Sequence, residues 1–380
     1  MYKLMNKDQP VAEFDLVDTT SLLGASVTAV ENLNIVDRKL YSAIIGGQQL
    51  DTFLRDRKAP KHREHIEKLF HYLDMNSLTN FLNISYGLSL NDAVWVCPDT
   101  LDASWSDVNM YDNEFSDVVA HYAFSGVGLV GAHLQATSPE YTTDGALPKC
   151  WIREPDGTVL LLKGSSVDMG FLNSGFEPCA EYYASQVAKR MNLYPHVEYD
   201  LRVVKGKLCS TCPLFTSAEK AYVSMSRELL RRSLVEAGYE RVLSENKLIE
   251  DYKDIVFFDC VICNPDRHLG NFGLLKNTTG YFTVGLSPIF DNGRGLGALW
   301  VNNNSAGDSI VEYTGKEGPR LLDNYDYVSA GRLYLDDRRR AALERLKGWT
   351  IPKHEKYNWP DWKYEAMNEL LQHQVRQILK

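Results

Sequence analysis

Residues 264–273 read Asn264-Pro265-Asp266-Arg267-His268-Leu269-Gly270-Asn271-Phe272-Gly273, and Asp291-Asn292-Gly293 stands eighteen residues beyond that run. Asp266 and Asn271 are five positions apart, the separation at which a phosphoryl-transfer loop carries an Asp for the attacking hydroxyl and an Asn for a metal ion. Asp291 supplies the second metal-binding group such chemistry needs. Moving a phosphoryl group takes little covalent help from a protein. It takes an aimed nucleophile and Mg²⁺ held on the β- and γ-phosphates. The spacing therefore predicts a nucleotide-dependent phosphotransferase, with Asp266, Asn271, Asp291 and His268 as its catalytic residues and Asn271 and Asp291 on metal. His268 either braces the loop through a backbone hydrogen bond or meets a phosphate. Arg267 suits a carboxylate or a phosphorylated residue. Gly270 and Gly273 serve tight backbone geometry.

Working outward, Phe272–Leu275 and Tyr281–Leu286 flank Lys276-Asn277-Thr278-Thr279-Gly280 and predict a short hairpin. Helices are expected over Glu219–Ala237, Ser244–Cys263, Asp337–Leu346 and Asp361–Leu379, with Ser244 and Asp337 at N-cap or first-turn positions. Upstream, Cys150–Arg153 and Thr158–Lys163 enclose Glu154-Pro155-Asp156-Gly157, a strong turn signal, and predict a β-hairpin. A helix over Pro178–Met191 and a strand over His196–Val204 follow. Phosphoryl transfer also calls for a cation on a strand and a carboxylate to hold it. Lys163 ends its strand, and Glu181 falls eighteen residues later on the expected helix. Glu177 is the rival acid, but it precedes Pro178 and suits the helix start instead. Thr142-Thr143-Asp144-Gly145-Ala146-Leu147-Pro148-Lys149 is a candidate phosphate loop, with Thr143, Gly145 and Lys149 as its binding residues; an ordinary turn is the competing reading.

Three regions emerge: residues 1–115 as an N-terminal accessory module, 116–205 as a small lobe and 206–380 as a large, mainly helical lobe. Within the first, Ile66, Leu69, Phe70 and Leu73 have helical spacing, and a second helix starts near Ser77. Asp99–Glu114 is acidic and aromatic and reads as a surface loop or extended segment. Together these give an α+β, bilobal kinase-like fold with a strand-rich small lobe and a helical large lobe.

Composition narrows the function classes. The chain has 380 residues, 44% hydrophobic and 24% charged, with a net charge of −9. That balance speaks against the nucleic-acid backbone as the main partner, and the strip Arg338–Arg340 reads as a solvated helix face. No apolar run reaches the length of a membrane span, and Met1–Lys7 lacks a signal core, so a cytoplasmic location is expected. Seven cysteines include Cys209-x-x-Cys212 and Cys260-x-x-Cys263. The 47 residues between these pairs are too many for a zinc ribbon, and buried reduced thiols are the favoured reading.

Asn264-x-Asp266-Arg267-His268-x-x-Asn271-Phe272-Gly273 with Phe290-Asp291-Asn292-Gly293 resembles the HipA-type serine/threonine kinases of bacteria, within the wider protein-kinase and phosphoinositide-kinase superfamily. The resemblance spans roughly 116–300. Thr143–Trp151 is similar to that family's phosphate loop, Lys163 to its ATP-binding lysine and Glu181 to its helix acid. Gly87–Trp95 and Tyr111–Ser116 resemble the N-terminal module of HipA-like proteins. The resemblance implies ATP- and Mg²⁺-dependent phosphorylation of a serine or threonine on a protein substrate, with adenine against Lys207–Thr216. Many toxins of the family pair with a DNA-binding antitoxin, so such a partner is implied as well. The loop lacks the Ser-x-x-Gly-x-Gln-x-Lys pattern of the toxin kinases, so self-phosphorylation at a loop serine does not carry over. Two alternatives stay open: a phosphoinositide or small-molecule kinase of the same fold, and a non-catalytic nucleotide-binding pseudokinase scaffold.

Overall fold

The computed structural model of the chain describes residues 1–20, 26–63, 65–128, 137–165, 175–301, 307–322 and 324–380. In chain order the elements are β1 (Tyr2–Asn6), β2 (Gln9–Thr20), β3 (Ser26–Ile35), α1 (Arg38–Ile44), α2 (Leu50–Asp56), α3 (Ile66–Tyr72), α4 (Leu78–Ser85), β4 (Val94–Pro98), α5 (Trp105–Val108), α6 (Asp117–Ser125), β5 (Lys149–Arg153), β6 (Val159–Gly164), α7 (Glu177–Met191), β7 (Asp200–Val204), β8 (Lys207–Pro213), β9 (Lys220–Ser224), α8 (Met225–Arg231), α9 (Tyr239–Glu245), α10 (Ile249–Ile262), β10 (Gly273–Asn277), β11 (Thr283–Leu286), α11 (Ile310–Thr314), α12 (Tyr327–Leu333), α13 (Asp337–Glu344) and α14 (Asp361–Leu379). They form an α+β fold of two compact units. One comprises Met1–Leu162, Leu214–Gly238 and Leu274–Gly285. The other comprises Lys163–Pro213, Tyr239–Gly273 and Leu286–Lys380.

The first unit is built on antiparallel strands in the order β3-β2-β1-β4. Alternation buries Leu4 on β1 and Val11 and Phe14 around β2, where they pack with Ile66, Phe70, Phe81 and Leu82 from α3 and α4. α4 starts where Ser77 accepts a bond from Asn80 N at 3.0 Å. The loop before β4 is pinned by Arg57. Its guanidinium meets both oxygens of Asp92 at 2.9 Å and the carbonyls of Gly87 and Val94 at 2.7 and 2.9 Å. Asp99–Glu114 departs from the expected surface loop. It holds the short helix α5, and Trp105 and Met110 are buried with Trp95, because aromatic bulk outweighs the local charge.

The expected helix over Glu219–Ala237 is also corrected. Lys220–Ser224 is the strand β9, in a three-stranded sheet ordered β11-β10-β9, and only Met225–Arg231 is α-helical, with a 3-10 turn over Glu236–Gly238. Tyr222 and Val223 favour the pleated surface, and Ser224 then caps α8.

In the second unit α10 is apolar nearly all round and almost wholly buried, packing against α12 and α14. On α14, Met367, Leu370, Leu371, Val375 and Ile378 form the buried stripe. Ser244 lies inside α9 rather than capping α10, which begins at Ile249; Asp336 caps α13, with Asp337 in its first turn. The strand expected over His196–Val204 is shorter: β7 pairs with β8 over Asp200–Val204, and His196 bridges singly to Ile289. Arg338–Arg340 is not simply a solvated face. Arg338 Nη1 and Arg339 Nε bind the buried Asp254 at 2.6 and 2.8 Å and so dock α13 on α10. All seven cysteines are free thiols. Among the described residues no helix is long and apolar enough to cross a membrane.

The first unit contains a buried carboxylate with three cationic partners. Glu228 accepts from Arg231 Nε at 2.8 Å, Arg232 Nε at 2.6 Å and Lys276 Nζ at 2.8 Å. Burial pushes its pKa up, but Arg231 and Lys276 outweigh that and hold it near 2 against an ordinary 4.5. A folded value below the unfolded one means the stabilisation is present above pH 4.5 and is lost as pH falls toward 2. Glu228→Gln should lower stability at neutral pH by roughly 3 kcal/mol. The wild-type-to-variant gap, read by urea titration, should shrink by roughly half between about pH 5 and about pH 3. A gap that stays constant over that range would refute the assignment.

Candidate active site

The site grows from the end of α10. Cys263 turns left-handed at φ 51°, which stops the helix, and Asn264 N donates back to Asp259 O at 3.0 Å. The Asn264 side chain then works in both directions. Its Nδ2 donates to Asp259 Oδ1 at 3.0 Å and its Oδ1 accepts from Asp266 N at 3.1 Å. The loop closes on itself through His268 N to Asp266 O and Asn271 N to His268 O, both at 2.9 Å. His268 Nδ1 accepts from Gly270 N at 3.0 Å, so His268 braces the loop, one of its two expected roles. Asn271 Nδ2 donates to Asp266 O at 3.1 Å, which leaves the amide oxygen as the other end of that side chain. Phe272 is buried against Tyr239 and Tyr252 and anchors the loop's exit.

Arg267 ties this loop to the segment carrying Asp291. Its guanidinium has five N–H donors and makes five bonds. Nε and Nη2 bind the two oxygens of Asp259 at 3.0 Å each; Nη2 also reaches Asn292 Oδ1 at 2.6 Å; Nη1 reaches Asn271 O at 2.9 Å and Phe290 O at 2.6 Å. Burial works against its charge, but Asp259 more than compensates and raises its pKa. The loop with Asp266 and Asn271 and the segment with Asp291 are thus fixed to one rigid group.

Asp291 adopts a left-handed conformation, φ 57°, and its N–H donates to Tyr199 Oη at 3.1 Å. Lys163 Nζ donates to Glu181 Oε1 at 2.7 Å and also to Asp291 Oδ1. Glu181 Oε2 accepts from Asn292 N at 2.7 Å. Gly293 follows because a Cβ there would stand 3.2 Å from Glu181 Oε1 and 3.4 Å from Glu177 Cβ. Burial alone would discharge Lys163, yet the carboxylates of Asp291 and Glu181 raise its pKa above the ordinary lysine value. Burial, offset by Lys163, raises that of Glu181. The Asp266 and Asp291 side chains keep 29% and 35% of their surface exposed, so both can meet a ligand.

Lys163, Glu181, Asp266, His268, Asn271 and Asp291 all belong to the second unit. Thr143, Gly145 and Lys149 belong to the first. There the buried Arg63 holds their loop, donating to the carbonyls of Glu140, Thr143 and Lys149 at 2.8, 3.2 and 2.7 Å. Lys149 Nζ donates to Asp144 O at 2.7 Å, and Thr143 Oγ1 accepts from Trp151 Nε1 at 3.0 Å. Sequence reasoning passed over Asp259, Asn292 and Tyr199. Asp259 had a signal: it is the one charge within the apolar run Ile255–Ile262. Among the described residues no group of three or more His, Cys, Asp or Glu is placed to hold a metal ion. A Mg²⁺ site of the expected kind needs fewer protein groups, because nucleotide oxygens and water complete it. The hard oxygens of Asp291 and Asn271 fit that chemistry.

No protein-family model matches the sequence, and no curated protein matches it either. Solved structures do match. HipA of Shewanella oneidensis MR-1, from a complex of HipA, HipB and operator DNA, is 11% identical, with a TM-score of 0.51 over 100% of this chain and 99% of that one. The Helicobacter pylori proinflammatory kinase CtkA is 16% identical, with a TM-score of 0.41 over 62% of this chain and 90% of that one. The fold of this chain is HipA-like.

Arg267→Met should leave the Asp259 carboxylate buried without its partner and cost roughly 3 to 5 kcal/mol. Arg267→Lys should recover little, since a point charge cannot span five acceptors. Chemical denaturation checks both, and near-wild-type stability of Arg267→Met would contradict the anchoring role.

Proposed function

We propose that this HipA-like chain is a phosphotransferase that moves the γ-phosphate of ATP to a serine or threonine hydroxyl of a protein. One observation carries the reading: Arg267 fastens the loop of Asp266 and Asn271 to the segment of Asp291, where Lys163 engages both Glu181 and Asp291. Each role of the phosphoryl-transfer template then has a residue with suitable surroundings.

In this reading Asp266 accepts a hydrogen bond from the acceptor hydroxyl and aims its oxygen at the γ-phosphorus. The new O–P bond forms as the bond to the β–γ bridging oxygen breaks. ADP leaves with that electron pair, and the hydroxyl proton passes to the Asp266 carboxylate. Lys163, kept cationic by Glu181 and Asp291, binds phosphate oxygens. Asp291 and Asn271 would hold Mg²⁺, which when bound neutralises charge on the β- and γ-phosphates. Arg267 and His268 hold the loop through their hydrogen bonds. The HipA neighbour was solved with HipB and operator DNA. By that likeness we extend the proposal to a DNA-binding antitoxin as a partner of this chain, to be sought by co-purification.

Purified protein with labelled ATP and Mg²⁺ should transfer phosphate to a protein in lysate. Asp266→Ala should slow transfer by about 10²- to 10⁴-fold while ATP still binds. Lys163→Met should weaken ATP binding itself. Transfer by Asp266→Ala at the wild-type rate would sink the reading. Phosphate appearing on lipid instead of protein would move the acceptor to a phosphoinositide. ATP binding with no transfer to any acceptor would leave a pseudokinase.

A further inference from the structure

Two residues before Asp291, the chain pairs with the segment that leads into β7. Val197 N donates to Ile289 O and Ile289 N to Pro195 O, both at 2.9 Å, and these are the two bonds of a parallel bridge between His196 and Ile289. A parallel ladder repeats its bonds in steps of two residues. The next pair would therefore join Asp291 N to Val197 O and Tyr199 N to Asp291 O. The chain does otherwise. Asp291 turns left-handed at φ 57°, its N–H goes to the Tyr199 hydroxyl at 3.1 Å, and Tyr199 N goes to Ser185 Oγ at 3.4 Å.

A side-chain oxygen thus stands where a backbone carbonyl would. Tyr199 is buried, and burial first, then the charge on Glu181, keeps its hydroxyl protonated well above the ordinary 10. A neutral phenol has lone pairs for the Asp291 N–H and one proton to donate. Cys212 on β8 is hydrogen-bonded to it. Left-handed backbone is unfavourable for a residue with a Cβ, so Asp291 keeps it only while something holds it there. Phe290 O and Asn292 N are held by Arg267 and Glu181, which narrows the choice to the Asp291 N–H between them. A return of φ to the extended region would re-aim the Cα–Cβ bond and take the carboxylate off Lys163.

We propose that Tyr199 is a positioning residue for the Asp291 carboxylate: its hydroxyl takes the N–H that the ladder would otherwise claim, and so keeps the side chain aimed at the metal position. The inference rests on the phosphotransferase reading and deepens it, naming what sets the metal affinity of the site. Asp291 is then a two-state element. With the hydroxyl in place, the left-handed state is favoured before any metal arrives. Without it, metal must draw Asp291 out of the ladder, and the apparent affinity falls with the fraction of chains that are competent. Excess metal restores the competent state. The defect therefore shows in the metal concentration required and not in the rate at saturation.

The test compares wild type with two variants. Tyr199→Phe removes the hydroxyl in question. Tyr194→Phe removes the hydroxyl that another tyrosine of the same segment donates to Leu286 O at 3.4 Å. Both keep the ring, and urea titration checks that they fold. Mn²⁺ binding with a non-hydrolysable ATP analogue is read by electron paramagnetic resonance, and initial rates are read against Mg²⁺ concentration. Tyr199→Phe should weaken Mn²⁺ binding and raise the half-saturating Mg²⁺ by about tenfold, equivalent to about 1.4 kcal/mol, with kcat at saturating Mg²⁺ close to that of wild type. Tyr194→Phe should change neither. Wild-type metal affinity in Tyr199→Phe would overturn the inference. So would equal weakening in both variants, since that is general loosening of the segment, or a loss confined to kcat. Mn²⁺ binding that weakens in Tyr199→Phe, in a protein that transfers no phosphate, would sustain the positioning role and sink the phosphotransferase reading. Transfer with unchanged metal affinity would do the reverse.

Discussion

A guanidinium buried among backbone carbonyls and one carboxylate has few places it can be. Arg267 has five N–H groups, and each one left unbonded inside the protein would cost the full desolvation of that donor. Asp259, Asn271 O, Phe290 O and Asn292 Oδ1 satisfy all five. Those acceptors lie on α10, on the loop of Asp266 and on the segment of Asp291. None of the three can shift without stranding part of the charge. Replacing the cluster with apolar side chains could hold the helix as firmly. It could not fix two loop carbonyls and an amide to one plane, which the placement of Asp266, Asn271 and Asp291 requires.

Lys163 repeats the device at the next step. Its ammonium is shared between Glu181, on the buried face of α7, and the more exposed Asp291. Glu181 is in turn committed at both oxygens, to Lys163 and to Asn292 N. The acid therefore positions the cation and the backbone beside Asp291 at once. The left-handed turn at Asp291 and the lack of a side chain at Gly293 follow from how closely that backbone passes Glu181. Asp291 is the one partner in this chain of contacts with substantial exposed surface, and so it is the one able to exchange a lysine for a ligand.

What the sequence disclosed depended on how local the cause was. Asp266, Asn271, Asp291 and Lys163–Glu181 announce themselves by spacing, because a loop or a strand–turn–helix unit fixes them within a few tens of residues. Helices such as α4, α7 and α14 were legible from apolar period and flanking residues. Lys220–Ser224 was not, since its strand identity comes from pairing in a sheet with β10, about fifty residues away, against a local pattern that equally suits a helix. Trp105 and Met110 were hidden by the acidic residues around them; their burial is decided by Trp95, brought near by the fold. The strands β1–β3 escaped although β1 pairs with β2 and β2 with β3, neighbours in sequence; Asp259 escaped because its partners lie beyond its own helix.

Arginine shows where residue type stops being informative. Arg57, Arg63 and Arg267 are fully enclosed, and each ties several backbone carbonyls to one plane. They act as fasteners through these bonds, and the Arg63 Nε is left without a hydrogen-bond partner among the described residues. Arg294 and Arg320 stand 3.8 and 3.6 Å from the Asp266 oxygens and keep contact with water. Their contacts with Asp266 contribute little to stability, since exposed charges at that range are well screened. A buried arginine with its donors on backbone carbonyls thus settles where a loop lies, and its burial is what the sequence does not show.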